Sequence, residues 1–248
     1  MGGLHGYEVP LETEDGVMPT FVTWPKTGGP FPPVIFYMDA PGMREELRNM
    51  SRYIAEQGYV VILPDMYYRV GKIRFDRDGL HSGPQFMAVM RAARDSISNE
   101  LIASDTGAML EYIDALPQAK KGPVGCAGYC MSGRFVVTVM ARFPERMAAG
   151  ASLYGTQIVT EEDDSPHLFV DRIKGELYLA FAETDSYVPD NVIPDLTAAL
   201  EKTGVKYSLK VFKGTEHGFC FAERSQYHEP SAKQVWLDML DLYARKLK

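Results

Sequence analysis

Cysteine is scarce in this chain: three residues, Cys126, Cys130 and Cys220, in a sequence of 248. So sparse and odd a set is no disulfide framework and suits free thiols in a reducing compartment. Positive charge is also short. Lys and Arg number 26 against 33 Asp and Glu, a formal net charge of -7. No basic run offsets this, which argues against nucleic acid or an anionic membrane as a partner. No apolar run approaches the roughly 18 residues of a membrane span. Met1 to His5 lack a charged stretch leading into an apolar one, so no secretory signal is expected. Met1-Gly2 opens like a myristoylation site, but Gly6 stands where that motif wants Ser or Thr. Repeats, low-complexity segments and linkers are missing too. The expectation is a single cytoplasmic domain over residues 1–248, monomeric or a small homo-oligomer. It would act on a small molecule without a metal or an organic cofactor.

What is present is enough for a sizeable core, with 46% hydrophobic residues in a pattern that alternates strands and helices. Two β-rich runs, Tyr7 to Leu11 and Met18 to Trp24, flank Glu14-Asp15-Gly16 and predict a hairpin. Pro33 to Met38 and Tyr59 to Leu63 are continuous apolar runs suited to strands buried on both faces. Between them, Leu47, Met50, Tyr53 and Ile54 keep helical spacing from Arg44 to Gln57, and Gly58 stands ready to end that helix. Met66 to Pro84 is irregular, with Tyr67, Tyr68, Arg69, Gly71, Arg74 and Arg77. Helices are predicted over Gln85 to Ile97 and Asn99 to Leu116. Strands follow at Val124 to Gly128, Ala148 to Tyr154, Glu176 to Ala182 and Tyr207 to Phe212. A helix capped by Asp190 and another over Ala232 to Lys246 complete the set. Such alternation predicts an α/β fold with a mostly parallel, doubly wound sheet, helices on both faces and an antiparallel N-terminal hairpin.

The chemistry centres on Gly125-Cys126-Ala127-Gly128-Tyr129-Cys130-Met131-Ser132-Gly133. It runs from a strand through a Gly-flanked turn into a helix over Arg134 to Phe143. A side chain at such a turn is exposed at the top of the sheet, with the next backbone N–H, that of Met131, beside it. Cys130 is therefore the candidate nucleophile. A thiol needs a base, and the base an orienting group. Asp185 and His217 both stand just past strand ends, and the order nucleophile, acid, histidine suits a hydrolytic triad on an α/β sheet. Of the other histidines, His5, His81, His167 and His228, none occupies a short Gly-flanked turn after a late strand. Glu183 and Asp190 compete with Asp185. Cys126 and Cys220 read as core, and no Cys-His cluster completes a metal site. Asp39 ends the first buried strand. It is either a turn former or an acid that influences the thiol.

These residues resemble the dienelactone hydrolase family of α/β-hydrolases. The likeness rests on Gly128-Tyr129-Cys130-Met131-Ser132-Gly133, on Asp185-Ser186-Tyr187-Val188-Pro189 and on His217-Gly218-Phe219. Tyr37-Met38-Asp39-Ala40-Pro41-Gly42 and the stretch from Gly58-Tyr59 to Pro64-Asp65-Met66-Tyr67 support it. The resemblance implies Cys130 as nucleophile, His217 as base and then acid, Asp185 as orienter, and the N–H groups of Met131 and Ala40 as an oxyanion hole. It implies ring opening of dienelactones through a thioester. A Glu near the first strand end holds the thiol proton in members of the family, and Asp39, one methylene shorter, stands near that place. Ser132 replaces a glycine common in this turn. Family members also carry an Arg four residues past the histidine to bind a substrate carboxylate. Phe221 occupies that place here, with Arg224 three further on, which points to a less charged ester or lactone. Arg69, Arg74, Arg91 and Arg224 are other possible sources of positive charge. Tyr68, Tyr154 and Phe219 are expected to shape the pocket. A broad-specificity carboxylesterase or thioesterase and a non-catalytic small-molecule scaffold remain the alternatives.

Overall fold

A computed structural model describes residues 3–75 and 84–248. Met1, Gly2, Arg77 and His81, which entered the sequence reading, lie outside the described residues. The chain groups into two compact units, Met1–Lys120 and Lys121–Lys248. In both, strands and helices alternate, and the fold is α/β with mostly parallel strands led by an antiparallel hairpin.

In the first unit β1 (Leu4–Thr13) and β2 (Gly16–Pro25) pair antiparallel, with Thr13 opposite Gly16. The turn is Glu14-Asp15, and Gly16 takes the positive φ of 132° that closes it. β2 pairs antiparallel with β4 (Val60–Pro64), which pairs parallel with β3 (Pro33–Tyr37), in the order β1-β2-β4-β3. All ten residues of β3 and β4 are buried, as continuous apolar runs require. Helix α1 (Glu45–Glu56) connects β3 to β4 and buries Leu47, Met50, Ser51, Ile54 and Ala55. That stripe has helical period, and each large apolar side chain on it contributes about 1.5–3 kcal/mol on burial. Gly58, at φ 91°, ends the helix by donating to the Ala55 carbonyl. A short 3₁₀ turn (Tyr68–Val70) and helices α2 (Pro84–Asp95) and α3 (Asn99–Ala115) complete the unit. The Ser98 side chain caps α3 by accepting from the Leu101 N–H at 3.1 Å.

In the second unit four parallel strands stand in sequence order: β5 (Val124–Tyr129), β6 (Met147–Leu153), β7 (Glu176–Thr184) and β8 (Lys206–Glu216). Helix α4 (Ser132–Arg142) packs on β5 and β6, and α6 (Glu229–Leu247) on β5 to β7. Close packing of α6 depends on Gly125, where a Cβ would lie 2.8 Å from the Leu247 side chain. Helix α5 (Val192–Glu201) begins later than expected. Asp190 does not cap it, because the Pro189 carbonyl already takes the Val192 N–H at 3.0 Å and Asn191 occupies the cap position.

Candidate active site

All three residues of the expected triad belong to the second unit. Cys130 lies between the end of β5 and the start of α4, in a left-handed backbone conformation with φ 57°. That conformation costs a non-glycine residue roughly 1–2 kcal/mol. Three hydrogen bonds hold it there: Cys130 N–H to the Leu153 carbonyl at 3.1 Å, and Gly133 and Thr156 N–H to the Cys130 carbonyl at 3.1 and 3.0 Å. The flanking glycines are steric requirements. A Cβ on Gly128 would lie 2.5 Å from the Ser132 carbonyl oxygen, and one on Gly133 would lie 2.2 Å from Gly155 Cα. Both obstacles are backbone and cannot swing aside. The sharp corner leaves the Cys130 thiol partly exposed, whereas Cys126 and Cys220 are buried. Burial pushes the pKa of both buried thiols up, which keeps them protonated and inert. Met131 holds the N-cap position of α4, at the positive end of the helix dipole.

His217 follows β8 directly, and Asp185 follows β7. Their side chains are only 10% and 4% exposed, and His217 Nδ1 stands 2.7 Å from Asp185 Oδ2. The other carboxylate oxygen accepts the Tyr187 N–H at 2.9 Å. Burial alone would lower the His217 pKa. The hydrogen bond to Asp185 and the hydrogen bonding and charge of Cys130 outweigh it, lifting the value to about 9. Nε2 is buried and makes no hydrogen bond of normal geometry, yet Cys130 is close enough to contribute to that shift. With Nδ1 committed to Asp185, Nε2 is the nitrogen left to meet the thiol, in a resting geometry that is not yet aligned. Glu183 is committed elsewhere, since its carboxylate accepts the Gly214 N–H at 2.7 Å. Asp190 is exposed at the start of α5. His5 lies against Trp24, and His167 and His228 bond Ser165 and Ser231.

Aromatic rings enclose the imidazole. Tyr154 is buried with φ 38°, and its ring meets His217 edge-on at 5.0 Å. Tyr187, which the sequence reading did not single out for the site, lies 4.8 Å from His217 on the turn that holds Asp185. Phe219 is buried against Tyr154 and Phe212 and serves as core. Phe221 is buried as well, and the Arg224 guanidinium stacks on it at 4.6 Å. A Cβ on Gly218 would lie 2.6 Å from Arg224 Nη1. Phe221 thus forms a shelf that holds a guanidinium against the residue after His217.

The remaining candidates lie in the first unit. Asp39 is fully buried, and both its oxygens accept from Arg44, which also bonds Glu46. The Ala40 carbonyl accepts the Tyr67 hydroxyl at 2.7 Å. The Tyr68 hydroxyl bonds Thr13 and Asp105. Arg69 forks Asp105, and Arg74 bonds Asp65. Arg91 lies on α2. Arg44 and Thr156 went unnoticed in the sequence because their bonds depend on the folded chain path. Tyr187 had a signal, its place two residues after Asp185. Among the described residues, no group of three or more His, Cys, Asp or Glu side chains is placed to hold a metal ion. No described helix is long and apolar enough to cross a membrane.

The sequence model of the "Dienelactone hydrolase family" matches residues 18–247. A Synechocystis protein named "Putative carboxymethylenebutenolidase" is 29% identical over 233 residues, 92% of each chain. A Klebsiella pneumoniae crystal structure titled "Putative Dienelactone Hydrolase" superposes with a TM-score of 0.86 at 22% identity, covering 98% of this chain and 99% of that one. A dienelactone hydrolase-like promiscuous phosphotriesterase from metagenomic libraries gives a TM-score of 0.76 at 19% identity, over 100% of both chains.

Proposed function

The chain belongs to the dienelactone hydrolase family of carboxylic ester hydrolases, and on that premise we propose that it cleaves small esters or lactones through a thioester on Cys130. The observation that carries this reading is one imidazole set between Asp185, 2.7 Å away, and the Cys130 thiol that helps raise its pKa.

Asp185 holds Nδ1–H of His217 and so directs Nε2 to the thiol side, where it takes the Cys130 proton to give a thiolate and an imidazolium. The thiolate adds to the substrate carbonyl, and the oxyanion forms beside the Met131 N–H at the start of α4. Collapse expels the alcohol or enolate, which takes the Nε2 proton and leaves a neutral imidazole and a thioester. A water then gives a proton to Nε2 while its oxygen adds to the thioester. Collapse expels the thiolate, releases the acid and restores the imidazolium. Arg224, held on Phe221 against Gly218, supports recognition of an ester that carries an anionic group; Tyr154 packs edge-on against the imidazole.

A panel of aryl esters and lactones tests the reading. Turnover that vanishes in Cys130→Ala and persists in Cys126→Ala supports it. Turnover that survives in Cys130→Ala rejects it.

A further inference from the structure

Tyr187 is an exposed aromatic residue whose position is fixed. The residue is 53% exposed, yet its N–H is tied to Asp185 Oδ1 at 2.9 Å, and the next residue closes the turn by donating to the Asp185 carbonyl at 3.1 Å. One face of the ring is applied to His217, with centroids 4.8 Å apart and planes inclined at 57°. Tyr154 covers the imidazole from another side at 5.0 Å but is itself fully buried. Of these two tyrosines, only Tyr187 offers surface to an incoming molecule. Its exposure leaves an aromatic surface beside the imidazole.

The reaction fixes which part of the substrate passes there. His217 must hand a proton to the departing oxygen, so the leaving group occupies the space next to the imidazole. We infer that Tyr187 is a specificity-determining residue that stacks on the leaving group, so that flat, unsaturated leaving groups such as phenols and enols are preferred over saturated alcohols. This rests on the reading of Cys130 and His217 as the reacting pair. An enol released by opening an unsaturated lactone belongs to the same flat class.

The test compares phenyl acetate with trifluoroethyl acetate, which share an acyl group, in the full-length enzyme. The ratio of kcat/KM values for the two esters is measured in the native enzyme and in Tyr187→Phe, Tyr187→Leu and Tyr187→Ala, which cancels their intrinsic reactivity. An aromatic contact predicts that the ratio falls about 3- to 10-fold in Tyr187→Leu and Tyr187→Ala, mainly through KM for the phenyl ester. Tyr187→Phe keeps the native ratio because it keeps the ring. Leu fills much of the same volume, so a fall there is not a folding artefact. A ratio equal in all four proteins, with Cys130→Ala inactive, overturns the role of Tyr187 alone. Turnover persisting in Cys130→Ala overturns the underlying reading and this inference with it.

Discussion

The two units each bury carboxylates, and they use them differently. In the first, Asp39 and Asp105 are fully buried and each is forked by an arginine, Arg44 and Arg69. An arginine keeps its proton at any accessible pH, so each of these carboxyl groups faces a permanent positive charge. In the second, Asp185 is almost as buried but faces His217, a partner that can exchange a proton near neutral pH. The backbone follows the same division. Among the described residues, every non-glycine residue with positive φ, namely Cys130, Tyr154 and Gln157, lies in the second unit. Cys130 and Tyr154 flank the candidate chemistry, and Gln157 accepts from Arg134 at 2.8 Å just beyond the turn.

Substitutions can break that contrast. The largest effect is expected at the imidazole. His217→Ala should lose roughly 10²–10⁴-fold in kcat/KM, since no other group supplies the proton transfers. Rates near those of the native enzyme would remove His217 from the mechanism.

Asn replacements of the two kinds of buried acid should separate them cleanly. Asp105→Asn should cost about 3 kcal/mol in chemical denaturation, because it removes the buried anion that Arg69 forks and leaves that guanidinium only Asp15 as a charge partner, with little effect on turnover. Asp185→Asn should act on the pH profile. The folded His217 value, about 9, lies above the ordinary 6.5, so the fold favours the protonated form. Its contribution to stability is complete below 6.5 and is lost as pH rises through about 9. Activity that needs the imidazolium should fall over the same alkaline range. Without the Asp185 anion, burial acts with less opposition, and the alkaline limb should move to lower pH. An unmoved limb would show that Asp185 does not set the charge of His217.

Two glycines make a similar pair. Gly133→Ala should destabilise the protein by about 3 kcal/mol, because its Cβ meets fixed backbone. Gly107→Ala, inside α3 with nothing within 4 Å of the added Cβ, should stabilise it by roughly 0.5–1 kcal/mol. Equal thermal shifts would contradict the packing at the turn. An effect of similar size concerns strain. Cys130→Gly should raise stability by about 1 kcal/mol as the left-handed backbone relaxes, while Cys130→Ala should not.

Much of this was legible in the sequence because it is local. Period-two and period-3.6 patterns placed the strands and helices within a few residues, and glycine spacing around Cys130 marked the turn. Asp185 and His217 could be chosen because each directly follows a strand end. What escaped was tertiary. Arg44 stands only five residues past Asp39, yet no backbone period shows that its side chain turns back to fork that carboxyl group. The positive φ of Tyr154 arises where its N–H reaches the Ala180 carbonyl at 2.6 Å. Phe221 and Arg224 were both noted, but not that the guanidinium stacks on the Phe221 ring against Gly218. Asp190 read as a helix cap because its residue type suits one, but the preceding proline turn had already satisfied the first amide.

The partly exposed thiol at the strained turn is the group expected to carry the acyl chain. Intact-protein mass spectrometry after acid quench during turnover of a slow aryl ester tests it most directly. One acyl adduct is expected, mapped by peptide digestion to Cys130 and absent from Cys130→Ala. An adduct on Cys126 or Cys220, or steady turnover with Cys130 unmodified and replaceable by alanine, would contradict it.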